Sequence, residues 1–279
     1  MPLQLNRLYY PLTAQPFSIT PDYREMAPCA PLQPYIRCFW GADAFHSQWE
    51  EERNIPGLVT PDTCMDVILT LNFSRNTAED TFCGINDASF ASFSAPSSDR
   101  TGTFAIRFYA WSVILFSDED MGHSLNYHGE SGEYFSHLQR DLFWLLMDTE
   151  TLEERARITE KYLLERIRPD RENADVMNAL YAMIAGKGRQ DIGSIADDLA
   201  ISSRQMERLF KGCVGVSPKK MSDMIRYQLL WQEMIFSPCM NMADAALKYG
   251  YFDQAHLIND FKKYHTMAPS EALKFAGWK

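Results

Sequence analysis

The chain is expected to be α+β, with an N-terminal antiparallel β-barrel followed by an all-α domain in which two helix-turn-helix units are joined by a long helix. Three observations predict this. Brief β-prone runs separated by turns precede residue 132, where no long helical pattern occurs. Helical periodicity dominates from Glu133 onward. A short helical pattern then appears twice between Ile192 and Pro269, offset by 51 residues, and two copies imply one job done twice.

Residues 1 to about 30 are rich in proline and turn formers, at Tyr10-Pro11, Gln15-Pro16, Thr20 to Asp22 and Ala27 to Pro31. β-Prone runs follow at Ile36–Gly41, Gly57–Thr60, Met65–Phe73, Thr81–Gly84, Ser89–Ser94, Thr103–Tyr109 and Ser112–Phe116. Many short strands without intervening helices suggest an antiparallel barrel or sandwich. Such an interior can hold a small ligand or simply be packed.

Beyond Glu133, Tyr134, Leu138, Leu142 and Leu145 keep helical spacing, and Leu152–Ile167 and Ala174–Ile184 continue as helices. Their leucine stripes could form a homodimer interface or dock against the barrel of their own chain. Gly186 to Gln190 reads as a flexible boundary. The expected domains are residues 1–132, a helical linker and dimerisation region at 133–186, and a helical domain at 187–279.

In the first copy, Ile192, Ile195, Ala196 and Leu199 line a short helix, and Ser202 caps a second whose Met206, Leu209, Phe210 and Cys213 point inward. Arg204, Arg208 and Lys211 fall away from that stripe. In the second copy Ala243, Ala246 and Leu247 line the first helix, Gly250 supplies the turn, and Asp253 caps a helix with Leu257, Phe261 and Tyr264 buried. The 51-residue shift lays Ala196 on Leu247, Ser202 on Asp253, Met206 on Leu257 and Phe210 on Phe261. Between the copies, Pro218 opens an unbroken helical run to Phe236, including Trp231.

Charge is unevenly shared. The 279 residues carry 27 Lys/Arg and 37 Asp/Glu, a formal charge of -10. Residues 171–279 hold 14 basic and 12 acidic residues, net +2, which leaves 13 and 25, net -12, for residues 1–170. An acidic first half is repelled by nucleic acid, while the second can carry a local positive face. No stretch reaches membrane-spanning length and the N-terminus lacks a secretion-signal pattern, so the cytosol is the expected compartment. Six cysteines, at 29, 38, 64, 83, 213 and 239, show no disulfide framework. Nucleophile elbow, phosphate loop and dinucleotide fingerprint are all absent, and neither enzymatic activity nor a cofactor is expected.

Residues 190–273 resemble the DNA-binding domain of the AraC/XylS family of bacterial transcription regulators. The carrying motifs are Ser202-x-x-Gln205-Met206-x-Arg208-Leu209-Phe210-Lys211, Gly215-Val216-Ser217-Pro218, and Gly250-Tyr251-x-Asp253-Gln254-x-His256-Leu257-x-x-x-Phe261-Lys262 ending in Pro269. The resemblance implies duplex DNA as partner, with the second helix of each unit in a major groove. Base contact then falls on Arg204, Glu207 and Arg208 of the first unit and on Gln254, Ala255, Ile258 and Asn259 of the second. Arginine matches the acceptors of guanine, glutamine and asparagine match adenine, and an aliphatic side chain meets the thymine methyl. The Asn259 position is often arginine in relatives, so a mainly positioning role is open for the second unit. Lys211, Lys219, Lys220 and Lys262 flank these helices as phosphate contacts.

Residues 10–125 resemble, more weakly, the cupin-like sensor domain of a subset of these regulators, through Pro34 to Trp40, Pro61-Asp62-x-Cys64-Met65-Asp66-Val67-Ile68 and Ile106-Arg107-Phe108. Arg37, Trp40, Arg107, Tyr109 and Trp111 are candidate effector-binding residues, because arginine among aromatics can hold a carboxylate or phosphate on an apolar ligand. Internal salt bridges and core packing are the alternative for the same residues. His123, His128 and Glu130 come nearest to a metal cluster but lie in a turn-rich segment, and no metal is expected. The expected function is a sequence-specific transcription regulator modulated by a small molecule, with RNA polymerase as a further partner for an activator. A regulator with a packed, non-sensing N-terminal domain and a cupin-like metal enzyme fused to a helical domain are the alternatives.

Overall fold

A computed structural model of the protein describes residues 4–12, 23–43, 45–46, 57–92, 99–237 and 240–276. Its strands are β1 (Arg24–Met26), β2 (Ile36–Gly41), β3 (Phe45–His46), β4 (Gly57–Val59), β5 (Cys64–Asn72), β6 (Thr77–Cys83), β7 (Phe90–Ser92), β8 (Arg100–Tyr109) and β9 (His128–Gly129). The helices are α1 (Leu5–Leu8), α2 (Ser136–Asp141), α3 (Phe143–Met147), α4 (Leu152–Leu164), α5 (Ala174–Ala185), α6 (Ile192–Asp198), α7 (Ser203–Val214), α8 (Pro218–Phe236), α9 (Met242–Lys248), α10 (Gln254–His265) and α11 (Pro269–Phe275). The fold is an N-terminal antiparallel sheet followed by a helical C-terminal half.

The main sheet runs β1-β2-β8-β5-β6-β9, with β3 also paired to β8, while β4 and β7 form a separate two-stranded sheet. Among the described residues it is open, which corrects the expected barrel. The reason lies in what covers it. Phe104, Ile106 and Phe108 of β8 are fully buried, and Phe108 is covered by turn and helix-approach residues. Phe108 packs against Phe116 and stacks at 5.9 Å on Phe135, and Phe104 stacks on Phe39 at 5.7 Å. Each such ring withdraws enough apolar surface from water to stabilise the fold by about 2 kcal/mol.

The expected strand at Ser112–Phe116 is instead a 3-10 turn at Val113–Leu115. Its residues are apolar throughout, without the alternation that marks a half-buried strand, and the Ser112 hydroxyl bonds the Tyr35 and Tyr109 carbonyls. Between α2 and α3 the chain bends at Leu142. Leu138, Leu142 and Leu146 are fully buried in the chain's own core, whereas Leu145, expected on the same stripe, is 53% exposed. Arg155 of α4 is fully buried with no carboxylate partner among the described residues, its guanidinium donating to Thr149, to the Ala42 carbonyl of the sheet edge and to the Glu150 carbonyl.

The expected flexible boundary at Gly186 to Gln190 is a packed turn. Gly188 sits at φ +68, and a Cβ there would lie 2.3 Å from the Ser222 carbonyl oxygen, so glycine is needed on both counts. α5, just before it, packs on α6, α7 and α8. One continuous hydrophobic core runs from the sheet through α5 to α11. Cys29, Cys38, Cys64, Cys83 and Cys213 are free thiols; Cys239, Gln15-Pro16, Thr20 to Asp22 and the last two residues of the expected Ser89–Ser94 strand lie outside the described residues. No helix among the described residues is long and apolar enough to cross a membrane.

Candidate nucleic-acid interface

The first helix pair is α6 and α7. Asp191 caps α6 by accepting from Ser194 N at 3.0 Å, and Ser202 caps α7 by accepting from Gln205 N at 3.2 Å. Gly215 closes α7 in the left-handed region at φ +86, its N–H shared by the Phe210 and Lys211 carbonyls. Met206, Phe210 and Val214 are buried, with Leu209 and Cys213 half-buried beside them. Arg204, Glu207, Arg208 and Lys211 are exposed on the opposite side. None of them forms an ion pair with a described residue.

The second pair is α9 and α10, capped by Asn241 and by Asp253, which accepts from His256 N at 2.7 Å. Gly250 takes φ +71 in the turn, as expected. The repeat needs one correction. α6 matches α9 at an offset of 50, α7 matches α10 at 51, and Ile201 N to Ala196 O in the first turn is mirrored by Tyr251 N to Ala246 O in the second. The extra residue is Phe252, 90% exposed. Ala196 therefore pairs with buried Ala246, and Leu247, expected inside, is 72% exposed; Ala243 is exposed as well. Ala245, Ala246 and Tyr249 form the true inner stripe. Gln254, Ala255 and Asn259 are exposed and Ile258 is half-buried.

α8 joins the pairs. Ser217 caps it and Pro218 occupies its first turn; its 19 residues span about 28 Å. Arg226 of α8 reaches Asp260 of α10 and Asp223 at 3.1 Å each, and its guanidinium stacks over Tyr251 at 4.5 Å. Tyr251 and Lys263 also donate to Asp260. Burial pulls the Asp260 pKa up, but Lys263 and Arg226 outweigh it and hold the carboxyl below its ordinary value. Deeper in the seam, His265 accepts or donates a 2.8 Å bond with the Tyr227 hydroxyl and lies between Phe261 and Trp231; burial pushes its pKa down to about 4.

Of the lysines expected on phosphate, Lys211 and Lys262 are exposed without an ion pair to a described residue. Lys219 reaches Asp223 at 2.8 Å within α8. Lys220 reaches Asp87, in the loop before β7, at 2.7 Å. Beside it the N-terminal half continues onto α7, where Met121 N donates to Gly212 O at 2.7 Å. A cleft of about 520 Å³ is lined by Asp120, Gly122 and His123 on one side and Glu207, Arg208, Lys211 and Gly212 on the other. Sequence reasoning missed Asp87 and Asp120; the acidic run Asp118-Glu119-Asp120 was the available signal.

The candidate effector residues separate into two groups. Arg107 donates to both oxygens of Asp66 at 2.9 Å, Trp40 Nε1 donates to the same carboxylate at 2.9 Å, and Asp62 lies 3.5 Å from Arg107 Nη1. Asp62 Oδ1 also accepts from Cys64 N, bracing the turn into β5. Burial pushes the Asp62 pKa up to about 6 against the pull of Arg107, and desolvation outweighs the ion pair because that contact is long and the site is enclosed. Arg37 donates to the Pro11 carbonyl, approaches Glu25 at 3.5 Å and lies under the Tyr10 ring. Tyr109 and Trp111 stack on each other at 4.4 Å and are buried, Trp111 donating to the Pro34 carbonyl. His128 bonds Asn86 and meets the Cys83 sulfur at 3.4 Å, and among the described residues no group of three or more His, Cys, Asp or Glu could hold a metal.

Residues 195–274 match the family described as a helix-turn-helix domain, and residues 24–130 match one described as a domain of unknown function, DUF6597. Comparison with curated proteins gives no match. Among solved structures, an apo lysine-to-alanine variant of ToxT from Vibrio cholerae is similar at 10% identity, covering 83% of this chain and 92% of its own, with a TM-score of 0.41. Another structure of ToxT from Vibrio cholerae is similar at 11% identity, covering 91% and 98%, with a TM-score of 0.40. Wild-type Vibrio cholerae ToxT bound to an unsaturated fatty acid is similar at 10% identity, covering 90% and 93%, with a TM-score of 0.39. The helix-turn-helix match falls on the same α6 to α11 segment that carries the Ser202 to Lys211, Gly215 to Pro218 and Gly250 to Lys262 motifs, and that segment is a helix-turn-helix domain.

Proposed function

We propose that both helix pairs read one face of a DNA duplex, α7 and α10 entering successive major grooves. The supporting observation is their arrangement on α8, whose length of about 28 Å approaches the 34 Å turn of B-form DNA. In this reading Arg204, Glu207 and Arg208 contact bases from α7, and Gln254, Ala255, Ile258 and Asn259 do so from α10. Lys211, Lys219, Lys220 and Lys262 hold phosphates. Footprinting of the full chain tests it: two protected segments about ten base pairs apart are expected, and a single protected segment removes the second unit. Arg208→Ala should cost about 1 to 3 kcal/mol on the preferred site and less on scrambled DNA; equal weakening on both would remove base readout.

The domain scheme we adopt is a cupin-like sensor at residues 1–132, a connecting region at 133–186 and a reading domain at 187–279. A small amphipathic anion is the effector class that fits the first. Arg37 and Arg107 are both buried, and each has an Nη1 that makes no hydrogen bond among the described residues and only a long 3.5 Å approach to a carboxylate, Glu25 and Asp62 respectively, which an anionic ligand would have to displace. Thermal stabilisation by medium-chain carboxylates, lost in Arg37→Lys with folding retained, tests the reading. Exposed Trp144, Leu145 and Leu164 form the surface on which a homodimer would close, and light scattering of Trp144→Glu against the parent measures it. RNA polymerase is the further partner if the protein activates.

A further inference from the structure

The contact between the acidic N-terminal half and α7 and α8 lies on the side those helices would turn to DNA. Lys220 is in the first turn of α8, where the helix N-terminus and its lysines favour a phosphate. Its ammonium is already engaged by the Asp87 carboxylate at 2.7 Å, an anion placed where a phosphate oxygen would go. Asp87 is held for this role. Its Oδ1 accepts from Asn126 Nδ2 at 2.9 Å, and its own N–H donates back to Asn126 at 3.1 Å.

The neighbouring loop acts on α7. Met121 N bonds Gly212 O one turn beyond Arg208, and Asp120 lines the cleft that also holds Arg208 and Lys211. The seam is tight: a Cβ on Gly215 would come within 2.2 Å of Ser124 Oγ and 2.9 Å of the Met121 carbonyl oxygen. Further along, Gln228 donates to the Pro61 carbonyl at 2.7 Å and accepts from Leu12 N at 2.9 Å, so the same docking continues down α8. A DNA strand reaching Lys211 and Lys220 would meet Asp120 and Asp87, and like charges at such separations repel.

We propose that Asp87 and the Asp118–Asp120 loop compete with the DNA backbone for the first helix pair, so that this closed arrangement is a low-affinity state and full DNA binding requires the N-terminal half to withdraw. The inference rests on α7 and the start of α8 being DNA-facing. It assigns to the N-terminal half a direct electrostatic blockade independent of any effector. Asp87→Asn is nearly isosteric and keeps the bond from Asn126, so folding is expected to survive, which unchanged circular dichroism and melting would verify.

Binding of labelled duplex to the full chain across a salt series then decides. Asp87→Asn should tighten binding about fivefold at low salt and steepen the logarithmic salt slope by about 0.9, because one lysine is released to a phosphate. Asp120→Asn, whose amide oxygen can still accept from Gly122 N, should tighten it by a smaller factor. Both variants are compared with Lys220→Ala and with the double variant Asp87→Asn/Lys220→Ala. Loss of the Asp87→Asn gain in the Lys220→Ala background supports direct competition. An unchanged or weaker Asp87→Asn overturns it, as does an equal gain in both backgrounds. If Lys220→Ala and Arg208→Ala leave binding unchanged even with Asp87→Asn present, the DNA-facing reading of the first pair fails and takes the blockade with it.

Discussion

The two helix pairs repeat each other in backbone and differ in what they present. The first offers Arg204, Arg208 and Lys211 to solvent, ends in a left-handed glycine, and is docked against the acidic half of the chain. The second offers Gln254, Ala255 and Asn259, ends in Thr266 at φ +65, and is tied to α8 by the Arg226, Asp260 and Tyr251 network. Its one backbone link to the sheet domain is between Ser89 N and Tyr264 O among the described residues. Arginines occur on the second helix of the first pair alone, while the second pair is fixed in place from within its own domain. The repeat thus keeps its backbone geometry more strictly than the side chains it presents.

The largest effect should come from cutting the second pair's anchor. Among the described residues, Arg226→Met leaves Asp260, 6% exposed, with Lys263 and Tyr251 as its remaining side-chain partners. Removing one member of an enclosed ion pair costs about 3 to 5 kcal/mol, and urea unfolding should show a loss at or just below that range because Arg226 retains some contact with water. Binding to a two-segment site should fall more than binding to a site cut down to the first segment. Equal losses on both would mean that Arg226 does not set the placement of α10.

Next in size is an acid sensitivity confined to the second pair, which alone of the two buries a histidine. His265 has a folded pKa near 4 against an ordinary value of 6.5. Between these values the unfolded chain takes up a proton that the folded one refuses, so stability rises with pH there. Its contribution is complete above about pH 6.5, shrinks as pH falls, and is gone near pH 4, for a total of up to about 3 kcal/mol. His265→Phe, which keeps the stack on Phe261 and the edge contact with Trp231 but removes the bond between His265 and the Tyr227 hydroxyl, should start less stable at pH 7 and flatten the slope between pH 6.5 and 4.5. An identical slope in parent and variant would place the acid sensitivity elsewhere.

Much of this contrast was legible in the residues themselves. Ser202, Asp253, Pro218 and Gly250 are local signals, each satisfied by atoms within a few positions along the chain, and they marked the helices and turns correctly. The one-residue insertion at Phe252 escaped, because Ala196 and Leu247 are both apolar and only packing distinguishes them. The open sheet escaped for a related reason. Alternation shows that a strand has two faces, but whether a face meets a second sheet or a layer of helices depends on pairings far apart in sequence. Lys220 carried no sign that Asp87, 133 positions earlier, would reach it. The cluster of Arg107, Trp40 and Asp66 was half visible: the arginine and tryptophan were singled out, while the register that sets Asp66 opposite Arg107 appears only in the ladder.

A smaller effect tests whether the two helix ends are interchangeable. Thr266 occupies the position of Gly215 at the 51-residue offset, and a β-branched residue at positive φ is strained. Thr266→Gly should relieve that strain and stabilise the fold by about 1 kcal/mol, partly offset by the greater freedom of glycine in the unfolded chain. The reciprocal Gly215→Thr should be destabilising, since its Cβ has no room beside Ser124. Thermal melts of both variants would measure this, and a stabilised Gly215→Thr would show that the seam between the halves yields easily.

The least costly changes sharpen the comparison most directly, because Lys211 and Lys262 occupy the same place in the two repeats. Both are exposed and both lie in the last turn of their helix, so each would neutralise one phosphate if its pair lies in a groove. Replacing either with alanine should weaken binding similarly on preferred and unrelated DNA and lower the logarithmic salt slope by about 0.9. The two need not be equal in the full chain. Lys211 shares its cleft with Asp120, which would offset part of its charge, whereas Lys262 does not line that cleft. Lys262→Ala should therefore give the full decrease and Lys211→Ala a smaller one, and Asp120→Asn should abolish the difference. Equal decreases with and without Asp120 would mean that the first pair meets DNA unhindered by the loop, and an unchanged slope in both lysine variants would remove their phosphate role altogether.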